Sequence, residues 1–229
     1  MNNFANVATR ALVTTLLASL AACGGGGGSD SPPVGGNPPS PNPAPPPPPP
    51  PPAPGTVVPP VSPTVQDISD GHAVGTARWG DPQTDGSAIG NFNCILNPPQ
   101  TFEVYAHLSI LVNNEPQRIP TRLGASPQGQ THCFYTIHTH DSSGKIHVTP
   151  TASGTFTLGE LFQIWGQPLT NSNVAGVSGL PVEIFVTDNG TVTKVEEADW
   201  ANIELRSHRE ITIGLGTAVT EIPNFTWSD

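Results

Sequence analysis

The sequence has few positive charges. Eight Lys and Arg residues stand against 18 Asp and Glu residues, and the formal net charge is -10. Proteins that bind nucleic acids neutralise phosphates with clustered Lys and Arg side chains, whereas the cations here are scattered along the chain. We therefore expect no nucleic-acid partner. An acidic balance instead suits solubility and cations as ligands.

Aromatic residues and catalytic motifs are scarce as well. Phe, Trp and Tyr make up 6% of the chain, which argues against an aromatic platform for carbohydrate. The sequence contains no G-x-S-x-G elbow, no H-E-x-x-H zinc motif and no phosphate-binding glycine loop. An enzymatic activity therefore stays open, and a non-catalytic role is favoured.

The N-terminus lacks an apolar run long enough to span a bilayer as a permanent helix. The run from Ala11 to Leu20 is short, and the tetrapeptide Leu-Ala-Ala-Cys (20–23) follows it, which predicts a signal peptide over residues 1–22. The tetrapeptide resembles the lipobox of bacterial lipoproteins, in which the cysteine becomes the lipidated first residue of the mature chain. This resemblance implies a lipid anchor on Cys23. Gly24 at the next position implies sorting to the outer membrane, facing the periplasm or the cell surface. An ordinary secretory signal with an incidental cysteine is the alternative.

Proline is abundant, but mostly in one segment. Residues 24–63 hold 18 of the 28 prolines, and they begin with a run of glycines. Proline fixes φ and removes a backbone donor, so the segment predicts an extended polyproline II spacer with a reach on the order of 100 Å. We interpret residues 23–63 as the lipidated cysteine and a disordered tether; a proline-rich ligand for a groove-binding partner is the other possibility.

Residues 64–229 are enough for one globular domain with its own core. Clean alternation over Phe102–Val112 predicts a strand, and Asn113-Asn114 predicts the turn of a hairpin. Thr157–Gly166 predicts a helix, because Thr157 and Glu160 form a capping box and Gly166 supplies the stop. Further strands are predicted at 182–187, 191–195 and 210–215, with a short helical or edge piece at 199–205 and a loop at 171–179. The expected fold is α+β and mainly β, an antiparallel sheet of hairpins with one packed helix; a β-sandwich is the alternative.

Three of the seven histidines fall within ten residues, His138 to His147. The flanking β-rich runs and the loop Asp-Ser-Ser-Gly (141–144) predict a β-hairpin in which His138 faces His147 and His140 faces Lys145. Ile137, Ile146 and Val148 then share an apolar face, while the three imidazoles share the other. Opposed Cβ atoms lie about 4.5–5.5 Å apart, so the rings can converge on one cation. A polar hairpin that faces water is the alternative interpretation.

Two further residues are candidate ligands beside His138, His140 and His147. His107 lies on the polar face of the first predicted hairpin and reaches the site if the two hairpins are neighbours; plain solvent exposure is the alternative. Asp141 is a direct or outer oxygen ligand. Imidazole-rich sites suit Zn²⁺, Cu²⁺ or Ni²⁺, and Zn or Cu is the expected metal.

Cys94 and Cys133 are the two cysteines that remain once Cys23 is lipidated. An exported chain folds in an oxidising compartment, so the pair predicts a disulfide. The competing interpretation makes one or both thiolates part of a soft His/Cys metal site. Strand parity disfavours it, because Cys133 shares the apolar face of Ile137.

Two motifs together resemble an uncharacterised family of secreted or lipid-anchored bacterial proteins. They are His-Thr-His-Asp-Ser-Ser-Gly-Lys-Ile-His-Val (138–148) and Thr-Leu-Gly-Glu-Leu-Phe-Gln-Ile-Trp-Gly (157–166). The family pattern is approximately H-T-H-D-x-S-G-x-I-H-V-E followed by T-L-G-x-F-F-x-I-W-G, and the similarity covers roughly residues 93–214. The chain departs from it at Thr149, where an acid is usual, and near Ala106, where a further histidine is expected. The resemblance implies that the motif acts as a unit, without naming an activity.

Two classes of function follow. The first is a lipid-anchored envelope protein whose histidine hairpin binds a divalent transition metal. In a less favoured version of this class the protein is a metal-dependent hydrolase, in which Asp141 or Glu103 would serve as base. The second is a cell-surface interaction or structural module without metal, whose protein partner the sequence does not name.

Overall fold

The computed structural model describes residues 57–68, 71–82, 84–99, 101–126 and 132–228. The predicted signal peptide, Cys23 and almost all of the predicted tether lie outside these residues. Within them, no helix has the length and apolar character needed to cross a membrane.

The described chain is mostly β, with one α-helix and one 3-10 helix. The first strands are β1 (Val61–Asp67), β2 (Thr76–Ala77), β3 (Ile95–Leu96), β4 (Val104–Val112), β5 (Glu115–Arg118), β6 (Ala125–Ser126), β7 (Cys133–Phe134), β8 (Ile137–His138) and β9 (Lys145–Val148). After α1 (Leu158–Trp165) come β10 (Asn173–Val174), β11 (Val177–Ser178), β12 (Val182–Asp188), β13 (Thr191–Val195), the 3-10 helix (Glu197–Asn202), β14 (Glu210–Leu215) and β15 (Ile222–Thr226). The predicted fold class is confirmed.

The main sheet has eight strands and is mixed. Its order is β13-β12-β14-β4-β5-β2, and β9 pairs with both β4 and β8. The predicted hairpins β4–β5 and β12–β13 are antiparallel, but β14 runs parallel to β4 and β2 runs parallel to β5. Smaller sheets join β1 to β15, β10 to β11, and β3, β7 and β6 to one another. β4 is thus the central strand, with β14 on one edge and β9 and β5 on the other.

The predicted helix is present, and its caps are those that the sequence indicates. Thr157 accepts from the backbone N–H of Glu160, whose side chain accepts from the N–H of Thr157 in return. Gly166 ends the helix in the left-handed region at φ 69°. The apolar face packs on the sheet, where Leu158, Leu161 and Phe162 are all at most 1% exposed.

The structure differs from the prediction in three places. β1 begins at Val61, so the first three residues of this strand lie in the segment assigned to the tether; it pairs with β15 in parallel. Residues 171–179, predicted as a loop, contain the short hairpin β10–β11. The piece predicted at 199–205 is a 3-10 helix that starts two residues earlier, at Glu197.

Candidate metal centre

The histidine hairpin has the predicted register over its two paired positions. His138 pairs with His147, and Ile137 pairs with Val148. The predicted pairing of His140 with Lys145 is wrong, because β8 ends at His138. On the other edge of β9, Lys145 pairs with His107 of β4. The chain turns away after β8 because the Thr139 N–H donates to Leu123 O (2.8 Å) and the Thr139 hydroxyl donates to Pro120 O (2.9 Å).

The loop between the two strands is fixed by its aspartate. Oδ1 of Asp141 accepts from the backbone N–H of Ser143 at 2.8 Å, and Oδ2 accepts from the N–H of Gly71 at 2.6 Å. Gly144 lies at φ 90°, where a Cβ would approach Leu108 O to 2.5 Å. Both carboxylate oxygens of Asp141 therefore hold the loop.

Three imidazoles converge above the hairpin. One ring nitrogen from each of His138, His140 and His147 lies within 4.8 Å of the other two. The Nε2 atoms of His138 and His140 are 3.1 Å apart, and the rings of His140 and His147 stack with centroids 4.1 Å apart. His138 is 2% exposed and His147 is 5% exposed, while His140 is exposed. The alternative in which this face lies in water is thus wrong for His138 and His147.

The two buried rings are oriented by acceptors on their outer nitrogens. Nδ1 of His138 lies 2.9 Å from Tyr135 O, and Nδ1 of His147 lies 3.1 Å from Oε1 of Glu103. A carbonyl or a carboxylate only accepts, so Nδ1 carries the proton in both rings. Each Nε2 then carries the ring's lone pair, as in metal-binding histidines, and that of His138 faces Nε2 of His140 at 3.1 Å.

Burial keeps these rings neutral. It lowers the pKa of His138 to about 3, with a further lowering by His147 and a smaller opposing effect of the hydrogen bond to Tyr135 O. Burial also lowers the pKa of His147, against the hydrogen bond to Glu103, which raises it. A histidine must be neutral to bind a metal, so both rings are in the required protonation state at neutral pH.

An open cleft of about 430 Å³ gives access to His138 and His140. It is lined by Asn97, Pro98, Glu103, Phe134, His138, His140 and Thr149. The ring of Phe134 packs against His138 and His140 at centroid distances of 4.9 and 5.7 Å. Phe134 thus forms an apolar wall beside these two imidazoles, and the cleft connects them to solvent.

His107 and Asp141 lie outside the group of three converging imidazoles. His107 is 1% exposed, so it is not the solvent-exposed residue that the alternative predicted. Its Nε2 lies 2.9 Å from Ser143 O, and its ring packs on Phe225 with centroids 4.0 Å apart. The structure thus brings together three of the five predicted ligands.

Glu103, Tyr135 and Thr149 belong to the site, although the sequence indicated only Glu103, as a possible base. Glu103 precedes β4, whose residue Tyr105 pairs with His147, so its position was readable from strand alternation once β4 and β9 were known to be neighbours. The contact from Tyr135 comes from a backbone carbonyl, which leaves no signal in the side-chain pattern.

The predicted disulfide joins Cys94 and Cys133, with an S–S distance of 2.02 Å. The bridge ties β7 to the segment before β3 and stands next to Phe134 of the cleft. Both sulfurs are consumed in it, so the soft His/Cys site is not formed.

No family model matches the chain, and neither a curated protein nor a solved structure matches it.

Proposed function

We propose that the protein binds one divalent transition-metal ion through His138, His140 and His147. The observation that carries this is the convergence of one nitrogen from each of the three rings within 4.8 Å, with the two buried rings already held by acceptors on Nδ1. Three neutral imidazoles on one small volume are a donor set for Zn²⁺ or Cu²⁺ and a poor one for Ca²⁺ or Mg²⁺.

The spacing of the nitrogens supports an ion of this size. Zn–N bonds of 2.0–2.1 Å in a tetrahedral site place two ligand nitrogens about 3.3 Å apart. The Nε2 atoms of His138 and His140 are 3.1 Å apart, close to that value. The other pairs lie within 4.8 Å, and rotation of the exposed ring of His140 can shorten its own distance to His147.

Metal binding is tested by calorimetric titration of the full-length, tag-free protein with Zn²⁺ and with Cu²⁺ at pH 7.5. The expected result is saturable binding of one ion per chain. Titration with Mg²⁺ should give no comparable signal, because this ion selects oxygen ligands. Absence of saturable binding of either transition metal contradicts the proposal and leaves the interaction module in its place.

The anchoring of the domain is a second part of the proposal. The lipobox-like tetrapeptide before Cys23 and the proline-rich tether support a lipid-anchored envelope protein, with the domain held some distance from an outer membrane. A single myristoyl-type chain binds membranes only marginally, so stable attachment implies more than one acyl chain on the modified cysteine.

Cys23→Ser is expected to move the protein from the membrane fraction to the soluble fraction, because serine cannot receive the thioether-linked lipid. The measurement is fractionation of cells that express either form, followed by immunoblotting. The double variant Cys94→Ala, Cys133→Ala serves as the control, since it removes the two other cysteines but leaves Cys23 for the anchor. Equal membrane association of the Cys23 variant and wild type would contradict the anchor.

A further inference from the structure

Thr149 is a buried residue with an unused hydroxyl at the edge of the metal site. It is 3% exposed, and it lines the same cleft as His138, His140 and Glu103. Among the described residues, its Oγ1 has no hydrogen-bond partner. A buried hydroxyl without a partner is costly and uncommon, so its position beside an open cleft points to a partner that comes from outside the chain.

The strand register places this hydroxyl on the correct face. Thr149 follows β9 two residues after His147, and its N–H donates to Thr136 O at 2.8 Å, which continues the pairing of β8 with β9. Side chains two residues apart share a face of the sheet. Thr149 therefore stands on the face of the imidazoles, and a turn about χ1 exchanges its methyl and hydroxyl groups within the same space.

Three protein ligands leave a coordination position for an exogenous ligand. Zinc sites with three protein ligands keep a fourth position for water or substrate. The cleft, with its walls of Phe134 and Pro98, lies beside His138 and His140, so it is the side from which an exogenous ligand would reach the ion.

The charges around the site favour a monovalent anion in that position. A divalent ion on three neutral imidazoles carries two positive charges. Glu103, which is bonded to His147 and lines the cleft, contributes one negative charge. One positive charge is left over, and the other residues that line the cleft are neutral.

We propose that the metal's open position takes a small carboxylate-type oxyanion, either a free carboxylate or bicarbonate. One oxygen binds the metal, and the other accepts a hydrogen bond from Oγ1 of Thr149. This inference rests on the proposed metal site. It assigns Thr149 to ligand positioning rather than to metal binding.

The test uses full-length, tag-free protein loaded with Co²⁺, whose visible absorption reports on its ligands, whereas Zn²⁺ is d¹⁰. Acetate and bicarbonate are titrated separately at pH 7.5 and constant ionic strength. A saturable spectral change with either anion is expected, and the arm that saturates at lower concentration identifies the source of the oxyanion. The same change should be absent with perchlorate.

Thr149→Val is expected to weaken anion binding about tenfold or more, since a hydrogen bond to a charged group is lost. Thr149→Ser keeps the hydroxyl, and its anion affinity should stay within about threefold of wild type, while the affinity for Co²⁺ should be unchanged in both variants.

Thr149→Val should also raise the melting temperature of the metal-free protein, because it removes the unpaired buried hydroxyl. Thr212→Val, at an equally buried position of β14 outside the cleft, is the matched control.

The possible contradictions are separable. If Co²⁺ binds but neither anion changes the spectrum, or if Thr149→Val binds the anion as wild type does, the oxyanion site is wrong and the metal site stands. A parallel loss of Co²⁺ affinity in Thr149→Val and in Thr149→Ala would make Thr149 a purely structural residue and would also overturn the inference. If wild type does not bind Co²⁺, both proposals are wrong.

Discussion

His138→Ala and His147→Ala are each expected to lower the affinity for Zn²⁺ or Cu²⁺ roughly 100-fold or more, which corresponds to about 3 kcal/mol. Each variant removes one of three nitrogen ligands. The lost ring is also one that an outer hydrogen bond holds in position. Calorimetric titration at pH 7.5 measures the change. Glu103→Gln should have a smaller effect, about tenfold, because it weakens the acceptor that orients His147 and leaves all three ligands in place.

His208→Ala is the matched control for the loss of an imidazole. His208 is exposed and stacks on Trp227, with centroids 4.7 Å apart, outside the cleft. Its replacement should leave the metal affinity within about twofold of wild type, as expected for an independent distant site. Equal binding by wild type and by both hairpin variants would contradict the site. An equal loss in His208→Ala would show that the titration measures non-specific binding.

The pH dependence of metal binding should be shallow near neutrality. The sequence alone predicts a steep fall below about pH 6.5, where three ordinary histidines take up protons together. The structure changes this expectation, since burial lowers the pKa of His138 to about 3 and lowers that of His147 as well. His138 stays neutral at pH 5.5, and the lowered pKa of His147 shifts its protonation to lower pH, so protons compete less there than three ordinary imidazoles would allow. The metal affinities measured at pH 7.5 and at pH 5.5 should thus differ by less than competition from three protons would produce.

The same pKa shifts make the metal-free protein sensitive to acid. The folded-state pKa values of His138 and His147 lie below the unfolded value of about 6.5, so the unfolded chain binds these protons first. Stability is therefore complete above about pH 6.5 and is lost progressively as the pH falls. Circular dichroism at pH 5.5 must accompany the titrations, so that unfolding is not mistaken for weak binding.

The sequence predicts the hairpin well because its register depends on local information. A four-residue loop and the shared parity of Ile137, Ile146 and Val148 leave one pairing that buries all three, and the structure has His138 opposite His147. A shift by one residue would have turned the isoleucines toward the other face. Alternation in β4 and the capping box of α1 are local signals of the same kind.

Burial of the histidines depends on distant residues and was not predictable in this way. β9 is covered because β4 pairs with it, and the ring of Tyr105 packs edge-on against His147 with centroids 5.0 Å apart. The polar residues of this face therefore lie inside a packed sheet rather than in water. The separation of His107 from the site also depends on distant residues. His107 pairs with Lys145, which lies two residues from His147 on the same face, and the ring of His107 turns toward Phe225.

β1 shows why composition alone misplaces a boundary. Val61, Val65 and their neighbours follow a proline-rich segment, and few apolar residues mark them as a strand. Their pairing requires β15 from the far end of the chain, where Ile222 is fully buried opposite Val61. Such a contact has no signal in either segment taken separately.

Removal of the disulfide is expected to destabilise the domain by roughly 4 kcal/mol, because the bridge restricts a loop of about 40 residues in the unfolded chain. The double variant Cys94→Ala, Cys133→Ala is preferred to single replacements, since it leaves no free thiol. Chemical denaturation monitored by circular dichroism should show a lower transition midpoint.

The structure localises this effect to the wall of the metal site. β3, β6 and β7 are two residues long each, and they form a separate sheet whose centre is the strand that carries Cys133 and Phe134. Such short pairs contribute little by themselves, so the bridge adds a covalent restraint next to Phe134, whereas His138 and His147 lie on strands of the main sheet. The double variant should therefore lose stability while its metal affinity at 25 °C changes by less than about tenfold. Cys23→Ser, which retains the bridge, should denature as wild type does; a stability loss below about 1 kcal/mol in the double variant would contradict the assigned role of the disulfide.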